Sequence, residues 1–117
     1  NELLNFISND IDFISQSLKT FTSEEVIKTV AEHFSVTQDQ IKGKQRRRNF
    51  LIPRQITMYI LREETSMSLS AIGKVLGNRD HSTVLHGCLK ISELMLSDDK
   101  IKKQIFEIKD TLLEVNS

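Results

Sequence analysis

The sequence contains one cysteine, one proline and four glycines in 117 residues, and each scarcity excludes something. A lone thiol, Cys88, cannot form an internal disulfide, which fits a reducing compartment, and a small core residue is the expected role. So few helix breakers leave room for long uninterrupted helices. No apolar run approaches the ~20 residues that cross a bilayer, so no membrane-spanning helix is expected and this chain shows no membrane partner. The first residues are amphipathic rather than a basic start followed by an apolar block, so no secretory leader is expected. A Gly-rich phosphate loop ending in Lys-Ser/Thr is lacking, as are a metal-ligand cluster and a carboxylate pair beside a base. His81 and His86 are five residues apart, too far round a helix to share a metal. Neither an enzyme nor a metal protein is expected. The chain begins at Asn1 rather than at methionine, and we expect a piece of a longer protein.

Net charge is also lacking, since 16 bases balance 16 acids. Taken alone, neutrality argues against a nucleic-acid partner. The distribution reverses this. Residues 1–40 carry seven acids and two bases, residues 41–90 ten bases and three acids, and residues 91–117 six acids and four bases. The middle of the chain is strongly cationic, and a local positive field attracts a polyanion whatever the total charge.

Hydrophobic periodicity is helical throughout, with no convincing strand alternation and no internal repeat. Leu3, Leu4, Ile7, Ile11, Ile14 and Leu18 make an amphipathic stripe that either packs on the domain or connects it to an upstream one. Thr22 with Glu25 has capping-box spacing and opens a helix over 23–34; Thr37 with Gln40 repeats that spacing before a short turn that ends near Gly43. The basic run Lys42-Gly43-Lys44-Gln45-Arg46-Arg47-Arg48 is expected as a loop, because Gly43 and like-charge repulsion disfavour a helix. No acid occurs between Asp39 and Glu63. Pro53 suits the first turn of a helix that runs to about Thr65 and buries Ile56, Tyr59, Ile60 and Met58. That puts Arg54 near the positive helix end, a poor place for a cation unless it serves something outside the fold. Ser68 caps a short helix over Leu69–Leu76. A final helix follows Ser97-Asp98-Asp99 to about Val115, with Ile101, Ile105, Ile108, Leu112 and Leu113 as its stripe and Phe106 alongside. The expected architecture is all-α with about six or seven helices, one of them a single turn.

The chain is organised around residues 77–91. Gly77 and Asn78 tolerate the positive φ of a tight turn, and Asp80 can cap the helix that follows, to about Leu96. Val84, Leu85, Cys88 and Ile91 then face a core, while His81, Ser82, Thr83, His86 and Lys90 form a second face of short or planar hydrogen-bonding groups. Two helices joined by a glycine-containing turn make a helix-turn-helix, and such a helix start fits a DNA major groove. The plainer alternatives are that Asp80 only caps, that His81 is an ordinary surface histidine and that residues 42–48 are a solvated loop.

Gly77-Asn78-Arg79-Asp80-His81-Ser82-Thr83-Val84-Leu85-His86 resembles the signature of the C-terminal origin-binding domains of bacterial DnaA-type chromosomal replication initiators. The basic loop, Pro53-Arg54-Gln55-Ile56, Met58-Tyr59 and Ser68-Leu69-Ser70-Ala71-Ile72-Gly73 agree in kind and order, so the likeness runs from about Thr22 to Leu113. The resemblance implies a Trp-repressor-like helix-turn-helix over 21–117, with 1–20 a connector from a preceding domain. It implies double-stranded origin DNA of the TTATCCACA type as partner, one copy sufficing for one asymmetric box, in the bacterial cytoplasm on the nucleoid. Regulatory proteins are further possible partners. Base contacts would come from Arg46 in the minor groove and from Asp80, His81, Ser82, Thr83 and His86 in the major groove. Lys44, Arg48, Arg54, Leu69, Ser70 and Lys90 would lie at the backbone. No cofactor is implied for this chain, and ATP is expected only on an upstream ATPase domain.

The sequence departs from the pattern at four places. Ile52 replaces a frequent arginine, Ser70 a frequent proline, Asn78 a usual glycine and Leu89 a usual base. Losing two cations should weaken nonspecific phosphate affinity and flatten its salt dependence without removing the base-reading groups. Two other functions compete: a dimeric Trp-repressor-like regulator, and a protein-interaction module that uses its terminal amphipathic helices.

Overall fold

The computed structural model describes residues 21–115, which form six α-helices and no strand. They are α1 (Ser23–Phe34), α2 (Gln38–Lys42), α3 (Arg48–Glu64), α4 (Leu69–Val75), α5 (His81–Ser97) and α6 (Asp99–Val115). The amphipathic stripe at 2–18 lies outside the described residues.

Local chemistry starts most of these helices. Thr22 and Glu25 form the reciprocal capping box of α1, and Thr37 and Gln40 that of α2, so each start satisfies two otherwise free N–H groups. Ser68 Oγ accepts from Ala71 N at 3.1 Å to open α4, and Asp98 Oδ1 accepts from Lys100 N and Ile101 N at 3.0 and 3.3 Å to open α6. Asp80 caps α5, its carboxylate accepting from Thr83 N at 2.8 Å. That bond favours the ionised form and holds the Asp80 carboxyl below its ordinary value.

Helix α3 is the hub. It packs on α1, α2, α4 and, most extensively, α5, while α6 closes the other side against α1 and α5. Ile52, Ile56, Met58, Ile60 and Leu61 of α3 are buried, together with Val84, Cys88 and Ile91 of α5 and Ile101, Ile105, Ile108 and Leu112 of α6. Leu85 and Tyr59 are half-buried, and the Lys109 ammonium lies 5.7 Å from the Tyr59 ring centre while pairing with Glu64 at 3.0 Å. Burial pushes the Cys88 thiol pKa up, so it sits in the core as a protonated small hydrophobe.

Two expectations fail. Helix α3 begins at Arg48, five residues before the proline taken as its start. Pro53 forfeits only the bond to the Asn49 carbonyl, in the first turn of the helix, and the chain there can stay helical around it. Leu113, placed in the α6 stripe, is 53% exposed, and Phe106 beside it is 50% exposed. Both lie on the flank of the face that Ile101, Ile105, Ile108 and Leu112 bury.

The turn between α4 and α5 is close-packed. Gly77 (φ 79°) and Asn78 (φ 58°) both adopt left-handed backbone, as their residue types allow. Arg79 N donates to Gly73 O at 2.9 Å, which pulls the turn onto α4 so tightly that a Cβ at Gly73 would collide with the Arg79 carbonyl. Gly73→Ala should therefore destabilise the domain by ~1–3 kcal/mol through overpacking against backbone that cannot swing aside, read as a lowered urea midpoint with unchanged slope. A second expectation concerns acid. Asp80's lowered pKa contributes stability that is present above the ordinary value of 3.8 and lost as pH falls through the depressed one. Asp80→Asn keeps a capping oxygen but not the titration, so its urea midpoint should fall less than the wild type's across that acid range.

Candidate nucleic-acid interface

The start of α5 presents its polar face to solvent. Asp80, His81, Ser82, Thr83, His86 and Lys90 are all exposed, while Val84, Gly87, Cys88 and Ile91 turn inward. The expected polar face is the one observed, and Val84, Cys88 and Ile91 are buried as expected, whereas Leu85, expected to face the core with them, is only half-buried. Residues 43–47 form a non-helical arm between α2 and α3, shorter than the loop expected over 42–48 because Lys42 ends α2 and Arg48 begins α3, and Lys44, Arg46, Arg47 and Arg48 are exposed. No side chain caps α3. Arg47 occupies its N-cap and Arg48 its first turn, with no acid in that turn, so cations stand at the positive end of the helix dipole.

The fold brings the arm and α5 together around one depression of about 270 Å³. Lys44 and Arg46 line it from the arm, Gln55 and Met58 from α3, Arg79 from the turn and Thr83 from α5. A second depression of about 280 Å³ joins Ser70 and Lys74 of α4 to Asn78, Arg79, Asp80 and His81. Lys90 and His86 share a shallow surface further along α5 with the exposed Leu89. Arg48, Leu69 and Lys90, expected at the phosphate backbone, line neither of the two depressions. Arg48 lines a groove with Phe34, Pro53, Asp98 and Lys100, not the depression shared by Arg46 and Thr83. Leu69 is half-buried and packs against the core.

Arg54 corrects the reading of it as a cation directed outside the fold. Only 2% exposed, it donates from Nε to Ile41 O at 2.7 Å, from Nη1 to Gln45 O at 2.9 Å and from Nη2 to Gln40 O at 3.0 Å. Its partners are carbonyls at the end of α2 and in the arm, groups that a helix C-terminus leaves free. Because α3 begins at Arg48, Arg54 lies beyond the first turn, where the dipole penalty has faded. Arg79, which sequence reasoning assigned no role, does the same work from the other side. Nη1 donates to Lys42 O at 3.0 Å and to Leu76 O, and Nη2 to Gly43 O. Burial lowers the pKa of both arginines, with the Arg79 charge adding to the effect at Arg54, yet a guanidinium stays charged in proteins. The carbonyl dipoles solvate these charges without cancelling them, so they add to the positive field of the arm. For Arg54 the usable signal is the absence of any acid between Asp39 and Glu63. An arginine there with no carboxylate nearby must face solvent or bind carbonyls.

Comparison with known proteins agrees with this arrangement. The family described as bacterial dnaA protein helix-turn-helix matches residues 23–91. The chromosomal replication initiator protein DnaA of Lachnoclostridium phytofermentans is 46% identical over 95 residues, covering 80% of this chain and 21% of that protein. Its counterpart in Treponema denticola is 40% identical over 102 residues, 87% of this chain and 22% of that protein. That of Chloroflexus aurantiacus is 38% identical over 98 residues, 84% of this chain and 20% of that protein. The chain thus spans about a fifth of the length of the curated relatives it matches. With an all-α helix-turn-helix fold and a family match over more than half its length, the chain belongs to the bacterial DnaA helix-turn-helix family.

Proposed function

We propose that this domain binds double-stranded DNA sequence-specifically and places a replication initiator on its origin. The observation that carries the reading is the convergence, around one depression, of the exposed α5 start and the cationic arm. Helix α5 enters the major groove and the arm reaches the neighbouring minor groove. Phosphate neutralisation by the arm supplies affinity that weakens with salt, whereas the groups on α5 supply discrimination.

The chemistry of each group fits its task. Asp80 accepts from Thr83 N and, as an exposed carboxylate, has lone pairs left for a cytosine N4 donor. Ser82 and Thr83 are small enough for close approach, and Thr83 adds a methyl that can meet the methyl of thymine. His81 and His86 offer ring edges to bases. Arg46 extends into an A·T-rich minor groove, where the narrow walls deepen the negative potential. Lys44, Ser70 and Lys90 lie beside the phosphates. An asymmetric element of the TTATCCACA type needs only one copy of the domain. Residues 1–20 serve as the connector to a preceding part of the protein, and nucleotide chemistry belongs to that part. The setting is the nucleoid, in the bacterial cytoplasm.

A polarisation series with a TTATCCACA-type duplex and its single-base variants tests this. His81→Ala and Thr83→Ala should each lower discrimination by ~1–3 kcal/mol at the affected base pairs, and Arg46→Ala should weaken binding and relax preference at the A·T-rich end. Equal affinity of the unaltered protein for the box and a scrambled duplex at moderate salt would overturn the reading.

A further inference from the structure

We infer that Arg79 is a positioning residue that fixes the minor-groove arm relative to the major-groove helix, so that the two grooves are read as one rigid unit. The inference rests on the origin-binding reading above and adds a role to a residue that need not touch DNA.

Arg79 sits at the junction of the two elements. Its backbone is fixed first: N donates to Gly73 O at 2.9 Å, and the next residue, Asp80, caps α5. Its side chain then leaves the helix-turn-helix and donates to Lys42 O and Gly43 O, 37 and 36 residues away in sequence. Those two carbonyls are the root of the arm, since Lys44 and Arg46 follow directly. The approach is tight enough that a Cβ on Gly77 would collide with Lys42 O, so the turn itself abuts the same root. Arg54 holds the other side of the segment through Gln40 O, Ile41 O and Gln45 O. Five carbonyls between residues 40 and 45 are therefore held by two guanidiniums, one from α3 and one from the turn before α5.

A planar fork is needed for this. Arginine can donate to several carbonyls at fixed angles, whereas a lysine ammonium is a point charge on a flexible stem. Losing the Arg79 fork leaves α5 and its cap intact, but frees the arm root on the side that faces α5. Discrimination through Arg46 should then fail while discrimination through His81 and Thr83 persists.

The test uses the full chain with Arg79→Met, Arg79→Lys, Arg46→Ala and the Arg79→Met/Arg46→Ala pair, against the single-base panel. A readable base pair ordinarily contributes roughly 5- to 150-fold. Arg79→Met should bring that ratio towards one at the base pairs that Arg46→Ala also relaxes, and leave it unchanged where His81→Ala acts. The pair should be no worse there than Arg46→Ala alone, and Arg79→Lys should recover part of the ratio. Amide exchange in the DNA-free chain should accelerate at residues 43–47 but not in the core of α3 or α5. A uniform loss across all base pairs, additivity with Arg46→Ala, or arm exchange equal to wild type would overturn the inference. If Arg79→Met does not fold, Arg79→Lys is held to the same outcomes at smaller amplitude. Should the wild type show no base preference at all, the origin reading fails, and the clamp is judged on arm exchange alone.

Discussion

The structure depends on a debt that every short helix carries. Helix α2 is five residues long, and apart from the long 3.4 Å bond from Gly43 N to Gln40 O its last carbonyls have no helical partners. In this fold they are not left to water. Arg54 and Arg79 converge on them, and in satisfying them define where the arm begins. The two cations are tolerated side by side because each donates to three oxygens, and an oxygen dipole lowers the cost of a charge withdrawn from water. An acid in their place would neutralise the charge, and none stands within the arm. The same arrangement thus supplies both the shape of the interface and much of its sign.

The remaining packing keeps that junction in place. Helices α3 and α5 form the central pair, and their buried Ile56, Met58, Val84, Cys88 and Ile91 fix the direction in which the exposed α5 face points. Gly73 lets α4 lie against the turn, and the left-handed Gly77 and Asn78 turn the chain sharply into α5. Helix α6 closes the far side against α1 and α5, and none of its residues lines the arm depression. Along α5 the exposed polar groups and the core lie on separate faces.

Much of this was legible in the sequence, because much of it is local. Capping boxes act over three residues, so Thr22 with Glu25 and Thr37 with Gln40 could be read directly. The division of α5 into an outward and an inward face follows from spacing alone. What was misread is what depends on distant partners. Arg54 stood out as an anomaly, but its acceptors lie nine to fourteen residues away and meet it only in the folded chain. Arg79 looked like a mere member of a motif, because its acceptors at 42 and 43 are further still. Pro53 suits a first turn, yet the helix bears it in its second, because only the Asn49 carbonyl loses a donor. Leu113 fits a stripe by period yet lies exposed, because the stripe is wider than the face its neighbours cover.

The uncapped, cationic beginning of α3 has one more consequence. Arg46, Arg47 and Arg48 stand together at a positive helix end with no carboxylate among them. In the free molecule these charges repel one another, and dissolved ions that shield them relieve the repulsion. The same ions compete with phosphates once a duplex is bound. Raising ionic strength therefore acts on this cluster with opposite sign in two settings: it eases the mutual repulsion of the arginines in the isolated domain and weakens their hold on phosphate in the complex we propose.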